Sequence, residues 1–385
     1  MPRLAVSWIV VLGMLTALGP LCTDFYLPAL PDLTRQLETT TTLTQLSLTA
    51  SLLGLGLGQL FFGPLSDRIG RRIPLLLSLV LFIASSALCA TTDSITMLIV
   101  WRFVQGVAGA GGSVLSRSIA RDKYHGTQLT QFFALLMTVN GIAPVVSPVL
   151  GGYLSAAFDW RMLFWVMAAV GTLLLLACLG IVKETLPARS SAGSLRQTAA
   201  GVLKNRTFMR YCLIQAFMLA GLFSYIGSSS FVLQREYGLS SIAFSLLFGI
   251  NGLGLIVSAL IFSRLSRRHS AETLLRIGLS LAVLMAALTL LFAWWQLSVA
   301  ALVSLFFCVA FNSGISTIAG SEAMSAVEPQ SSGTASALLG MLMFLFGGIA
   351  TPLSSLGGET LVKMSAAIVT SYAVALIILL RVKKT

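Results

Sequence analysis

Asp24 and Arg102 each stand in a stretch of sequence that is otherwise apolar and uncharged, and few residues in this chain are better placed to do chemistry. Ionisable groups at membrane depth are rare and costly, and they are functional by default. A carboxyl held out of water favours its neutral form, so it can load and release a proton as its access to water changes. A guanidinium stays charged and answers either that carboxylate or a bound ligand. Measured along a helix, Asp24 lies about 9 Å in from the outer end of its span near Leu30, and Arg102 about 12 Å in from Asp93 and Ser94. The two are therefore predicted to share one layer in the outward half, where a proton on Asp24 and a ligand would compete for one cavity. The bland alternative has Arg102 snorkelling to the headgroups and Asp24 capping a helix break near Pro20 or Pro28.

Other chemistry finds little support. Cys22, Cys89, Cys178, Cys212 and Cys308 all fall in apolar segments without Cys-x-x-Cys spacing, and read as small packing residues. His125 and His269 fall in loops, and neither a metal-ligand set nor a phosphate-binding loop is present. No metal, cofactor or enzymatic activity is expected. The net charge of +12 does not imply nucleic acid, because no basic segment is long enough and free enough of lipid to form a binding face.

The elements that must position these residues follow from composition. The chain is 56% hydrophobic and only 10% charged, where a soluble domain carries about a quarter charged residues. Uncharged stretches near or above the roughly 20 residues a spanning helix needs recur along its length. They predict an all-α membrane protein with spans near 6–30, 43–62, 73–92, 96–117, 128–155, 161–182, 209–232, 241–262, 274–293, 297–320, 333–356 and 362–380. The long apolar run from Ile277 to Ser321 is divided at Trp294, Trp295 and Gln296.

Sorting the 25 basic residues by loop places twenty on the side of both termini, Arg117 and Arg121 among them. Only Arg35, Arg161, Arg235 and Lys363 fall on the other side, with Arg102 left inside a span. That asymmetry predicts cytoplasmic termini. The apolar start of the chain is too long for a signal h-region and runs directly into Cys22, Thr23 and Asp24, so it reads as a span. The polar, basic stretch from Lys183 to Arg210 interrupts the pattern near the middle. It predicts two six-helix pseudo-repeats, residues 1–182 and 209–385, joined by a cytoplasmic linker at 183–208. A degenerate internal repeat agrees, since Phe262-Ser-Arg-Leu-Ser-Arg-Arg268 follows about 200 residues after the turn that begins at Phe62. Repeated bundles of this kind bind substrate near the midplane and rock around it.

Several motifs carry a resemblance. The turn Gly63-Pro-Leu-Ser-Asp-Arg-Ile-Gly-Arg-Arg72 is similar to the loop motif between spans two and three of the major facilitator superfamily. Charge bias explains Arg68, Arg71 and Arg72 but not Gly63, Asp67 and Gly70. Span four reads Arg102-Phe-Val-Gln-Gly-Val-Ala-Gly-Ala-Gly-Gly112, which resembles the motif that places an intramembrane arginine before a glycine-rich stretch. Span five resembles the antiporter motif of the exporter branch, through Gly141, Pro144, Pro148, Gly151 and Gly152. Asp24-Phe-Tyr-Leu-Pro-Ala-Leu-Pro31 resembles the end of span one in the Bcr/CflA group of twelve-span drug:proton antiporters.

The resemblance implies the major facilitator fold and a bacterial inner membrane. It also implies a monomer driven by the proton gradient, coupling through Asp24 and Arg102, and a cytoplasmic gate at Gly63, Asp67, Arg68, Gly70, Arg71 and Arg72. The second-half loop departs from the pattern by lacking the acid and the glycines, and span one carries a single carboxylate.

Aromatic and small polar side chains suit amphipathic ligands, since flat or soft surfaces repack around different shapes. The expected small-molecule contacts are Tyr26, Phe103, Gln105, Asn140, Gln215, Phe223, Tyr225, Asn251 and Asn312, with Tyr26 first because it neighbours Asp24. For each taken singly, a packing or lipid-facing role is as good a reading. Export of drugs or toxic metabolites competes with carriage of one physiological solute, such as a nucleoside, sugar or amino-acid derivative. A membrane-embedded enzyme or sensor has no supporting residues.

Overall fold

A computed structural model describes residues 6–124, 126–185, 195–328, 332–354 and 360–381. His125 and the basic residues Arg3, Arg189, Lys383 and Lys384 lie outside them. Every long element is a helix. The first eight are α1 (Val6–Asp24), α2 (Leu30–Gln36), α3 (Thr41–Ile69), α4 (Arg72–Thr91), α5 (Ile95–Lys123), α6 (Gly126–Ala157), α7 (Arg161–Ile181) and α8 (Leu195–Lys204). They are followed by α9 (Arg206–Phe231), α10 (Ser241–Leu265), α11 (Ala271–Trp294), α12 (Ser298–Ser325), α13 (Ser332–Leu353) and α14 (Leu361–Arg381). Among the described residues, eleven stretches are long and apolar enough to cross a membrane. The 32-residue α6 takes the fifth place in the series, and its described apolar part is Ile142–Ala157. Leu173 and Leu176 are 66% and 61% exposed, an arrangement that suits hydrocarbon around the helices.

Local chemistry explains where the helices begin and bend. Asn205, Ser240 and Ser270 cap α9, α10 and α11 by accepting from the backbone N–H three residues on, at 3.0, 3.2 and 3.3 Å. The division at Trp294–Gln296 matches the observed turn between α11 and α12, where Gln296 takes φ of +57°.

Three differences from the sequence expectation bear on the site. Span one does not run unbroken to residue 30: α1 stops at Asp24, and a short 3-10 turn, Leu27–Ala29, leads into α2. Pro28 and Pro31 lack the N–H groups that would continue the α-helical ladder. Helix α5 runs to Lys123 rather than ending at 117, so Arg117 is a helix-interior residue. The segment read as a plain linker holds α8, ten residues long.

The described residues fall into two compact units. The first lies within Met1–Thr39 and Ala50–Gly193, the second within Thr40–Thr49 and Ser194–Thr385. The start of α3 groups with the second because Gln45 donates to the Gly227 carbonyl at 3.0 Å and Thr49 to the Gly348 carbonyl at 2.9 Å. Within the first unit, α5 is the central post. Its glycines let neighbours approach without side chains between them: a Cβ on Gly106 would collide with the Ser51 carbonyl of α3, and one on Gly112 would lie 2.9 Å from Leu18 of α1.

Candidate proton and substrate site

The break after α1 leaves Asp24 as the last residue of a helix, 5% exposed. Among the described residues it is the only acidic side chain that is buried, and no ion pair involves it. Arg102, projecting from α5, is wholly buried. Its guanidinium donates to the backbone carbonyl of Cys22 and to Oε1 of Gln105, and its Nε has no partner. The flat face of the group lies 4.1 Å from the centre of the Tyr26 ring and 5.6 Å from that of Phe164. A cation over aromatic faces in a dry site gains about 2 kcal/mol or more. Arg102 therefore neither snorkels nor pairs with a carboxylate; it holds the end of α1, two residues before Asp24.

Gln105 extends this arrangement. Its Nε2 donates to Ser86 Oγ of α4 at 2.7 Å and lies 3.4 Å from Met167 Sδ of α7. Tyr26 meets Phe164 of α7 at 5.8 Å between ring centres, and Phe164 in turn meets Trp160 edge to face at 5.9 Å. Four helices of the first unit thus converge on one guanidinium. Helix α6 completes the surroundings of Asp24 through Gly151, where a Cβ would collide with the carbonyl of Phe25. The sequence marked Gly151 as part of a motif and Asp24 as part of another, and the fold brings them side by side.

Gly151→Ala tests that proximity. A methyl group there must push α6 away from the residue after Asp24, and the expected result is folded protein that loses at least tenfold in transport rate. Wild-type rates from a Gly151→Ala protein would show that the approach has no functional weight.

The substrate candidates of the second unit are placed differently. Asn251 donates to the Tyr225 hydroxyl at 2.7 Å, and Tyr225 stacks on Phe248 with ring centres 5.5 Å apart. Asn312 donates to the Met218 carbonyl at 2.6 Å and to the Tyr372 hydroxyl at 3.1 Å. Tyr225, Asn251 and Asn312 are all buried, and each spends its polar atoms on a neighbouring helix. Gln215 and Phe223 are buried as well, whereas Phe103 is 37% exposed. Asn140 is on α6, and its side chain lies outside the described residues.

The Gly63–Arg72 turn is built around Arg71. Its guanidinium bonds Asp67 at 2.5 Å, Ser66 at 2.7 Å and Asp122 of α5 at 2.8 Å. Burial works against its charge, but the bonds and charges of Asp122 and Asp67 outweigh it and hold the group above its ordinary pKa. Beneath the turn, the Glu184 carboxylate accepts from the backbone N–H groups of Arg71 at 2.8 Å and Arg72 at 3.2 Å. This anion sits at the start of α4, where it meets the positive end of the helix dipole. Gly70 has φ of +97°, and a Cβ on it would collide with Glu184, so two separate constraints call for glycine. Gly63 differs, since its Cβ would meet nothing nearer than Val114 at 4.0 Å. Arg72 donates to the Leu179 carbonyl at 3.2 Å, while Arg68 is exposed. Glu184 and Asp122 escaped the sequence reading. The available signal was that each is an acid in a predominantly basic loop region.

Comparison with known proteins settles the family. The chain matches the model of the Major Facilitator Superfamily over residues 12–352. It belongs to the major facilitator superfamily. Membership makes this facilitator a multi-pass membrane protein and a secondary transporter, not an enzyme. It is 41% identical over 372 residues to the uncharacterized MFS-type transporter YdgK of Bacillus subtilis, covering 94% of this chain and 92% of that protein. It is 31% identical to multidrug resistance protein D of Escherichia coli, covering 92% and 90%. A bicyclomycin resistance protein homolog of Haemophilus influenzae is 30% identical, with 89% and 87% covered.

Proposed function

We propose that this facilitator exports small amphipathic drugs or toxic metabolites in exchange for protons, as a member of the Bcr/CflA group of the bacterial inner membrane. The observation that carries the reading is Asp24, the single buried carboxylate among the described residues, at the end of a broken helix and beside Gly151 of the antiporter motif. One acid that alternates between protonated and ionised is the least machinery that can couple a proton gradient to a conformational cycle. Export rather than uptake is favoured by the span-five motif and by the named roles of the two resistance-protein relatives. Twenty of the 25 basic residues on one side support cytoplasmic termini, with the Gly63–Arg72 turn acting as a gate on that side. In this cycle two six-helix halves, 1–182 and 209–385, alternate access to the substrate path. Tyr26, Gln105 and Asn140 in the first half, and Tyr225, Asn251 and Asn312 in the second, are the proposed substrate contacts. Those of the second half that are described here would release their present hydrogen bonds to make them.

Expression in an efflux-deficient bacterium, scored across unrelated antibiotics and dyes, tests the reading. Raised resistance to several compounds, absent from an Asp24→Asn control, is the expected pattern. Sensitivity equal to the empty vector across the panel, with protein present in the membrane, would count against export of drugs. It would favour a carrier of one physiological solute.

A further inference from the structure

Arg117 is the one arginine of the α5 interior that the proton site does not use. Its Nε donates to the Ser113 carbonyl at 3.1 Å and one Nη to the Ser113 hydroxyl at 3.3 Å. Both partners are neutral and belong to its own helix, and no described acid pairs with it. The remaining Nη has no partner among the described residues and is not among the sealed, unsatisfied atoms. A guanidinium held in place by its own helix therefore keeps a partly exposed donor that no described residue uses. Arg121, one turn on, lies within electrostatic reach and adds a second positive charge.

The helix geometry locates that donor. Counting about 100° per residue around α5, Gly109, Gly112 and Ser116 turn toward α1, where they meet Cys22, Leu18 and Thr16. Ala110 and Val114 turn toward α3. Ser113 and Arg117 occupy the strip between these two contact lines. Both side chains are partly exposed there, unlike Leu115, Ser116 and Ile119 on the packed faces of the helix.

We propose that Arg117, steadied by Ser113, is a binding site for the carboxylate, sulfonate or phosphate group of an amphipathic anion. The site extends the exporter reading to anionic and zwitterionic substrates, and rests on that reading only for what happens after binding. A lipid headgroup phosphate has the same chemistry. A charge-assisted bond from guanidinium to such an oxyanion is about twice as strong as a neutral one.

The test measures binding with no gradient present, so failure of proton coupling leaves its outcome untouched. The full chain, in nanodiscs of phosphatidylcholine, is titrated with dansylglycine and with dansylamide, which carries the same ring system without the carboxylate. Wild type is expected to prefer dansylglycine. Arg117→Gln is expected to weaken dansylglycine roughly tenfold and to leave dansylamide unchanged. Should the Gln variant fold poorly, Arg117→Lys, which keeps the charge and loses the fork, is expected to cut the preference severalfold. Equal affinities of wild type for the two probes, or a preference that survives both substitutions, would overturn the proposal. Phosphatidylglycerol in the nanodisc separates the two sources. Competition with dansylglycine in wild type but not in Arg117→Gln assigns the site to lipid headgroups, and a lack of competition assigns it to soluble anions.

Discussion

Asp24→Asn is expected to abolish uphill transport in proteoliposomes while leaving folded protein that still exchanges substrate down its gradient. Asparagine has nearly the shape of a protonated aspartate and cannot release a proton. The swap thus removes the chemistry and keeps the volume. Stability should change little, because no ion pair is lost. The effect should be large because no other described acid is buried to take over the coupling. An imposed pH gradient should then drive accumulation at less than about a tenth of the wild-type rate, while substrate counterflow persists. If the Asn form accumulates substrate against its gradient as fast as wild type, the proton enters elsewhere and Asp24 leaves the mechanism. Loss of counterflow along with uphill transport would instead show that Asp24 is needed for the cycle itself.

Depth along a helix was legible in the sequence, and direction around it was not. Counting residues put Asp24 and Arg102 in one layer, and the Arg102 guanidinium does reach the backbone two residues before Asp24. Nothing in that count could show that Arg102 turns to the Cys22 carbonyl and the Tyr26 ring rather than to the carboxylate. Glycines were readable as sites of close approach, and at Gly70, Gly106 and Gly151 the fold uses them so, because a missing side chain constrains its neighbours whatever their identity. Gly63 shows the limit of that inference, since it has room for a methyl group. Partners far apart in sequence were illegible: Glu184 beneath the turn at Gly70, and Asn312 on Tyr372, depend on which helices pack together. The exit point of α5 was misjudged for a simpler reason. Arg117 and Arg121 look like loop charges by composition, yet a helix tolerates arginine in its interior as well as at its end.

Arg102→Lys separates the shape of that side chain from its charge. The guanidinium forks to two acceptors, the Cys22 carbonyl and Gln105 Oε1, while its flat face rests on Tyr26. A lysine ammonium is a point charge on a flexible stem and cannot fork or stack in this way. At least one buried acceptor is then left unpaired, at a cost of about 1–3 kcal/mol. The end of α1 loses its tether two residues before Asp24. The expected result is a lower melting temperature in detergent and at least a tenfold loss of uphill transport, with Arg102→Ala nearly as inactive as Asp24→Asn. A pure charge requirement predicts otherwise, because Arg102→Lys would then keep most of the activity. Near-normal transport by the Lys form, with Ala inactive, would therefore replace the positioning account of Arg102 with an electrostatic one. The Gln105→Leu variant discriminates further: it removes the acceptor and the link to Ser86 while keeping every charge. Positioning predicts that it too loses transport, since Gln105 is the joint through which α4 and α7 hold the guanidinium against α1.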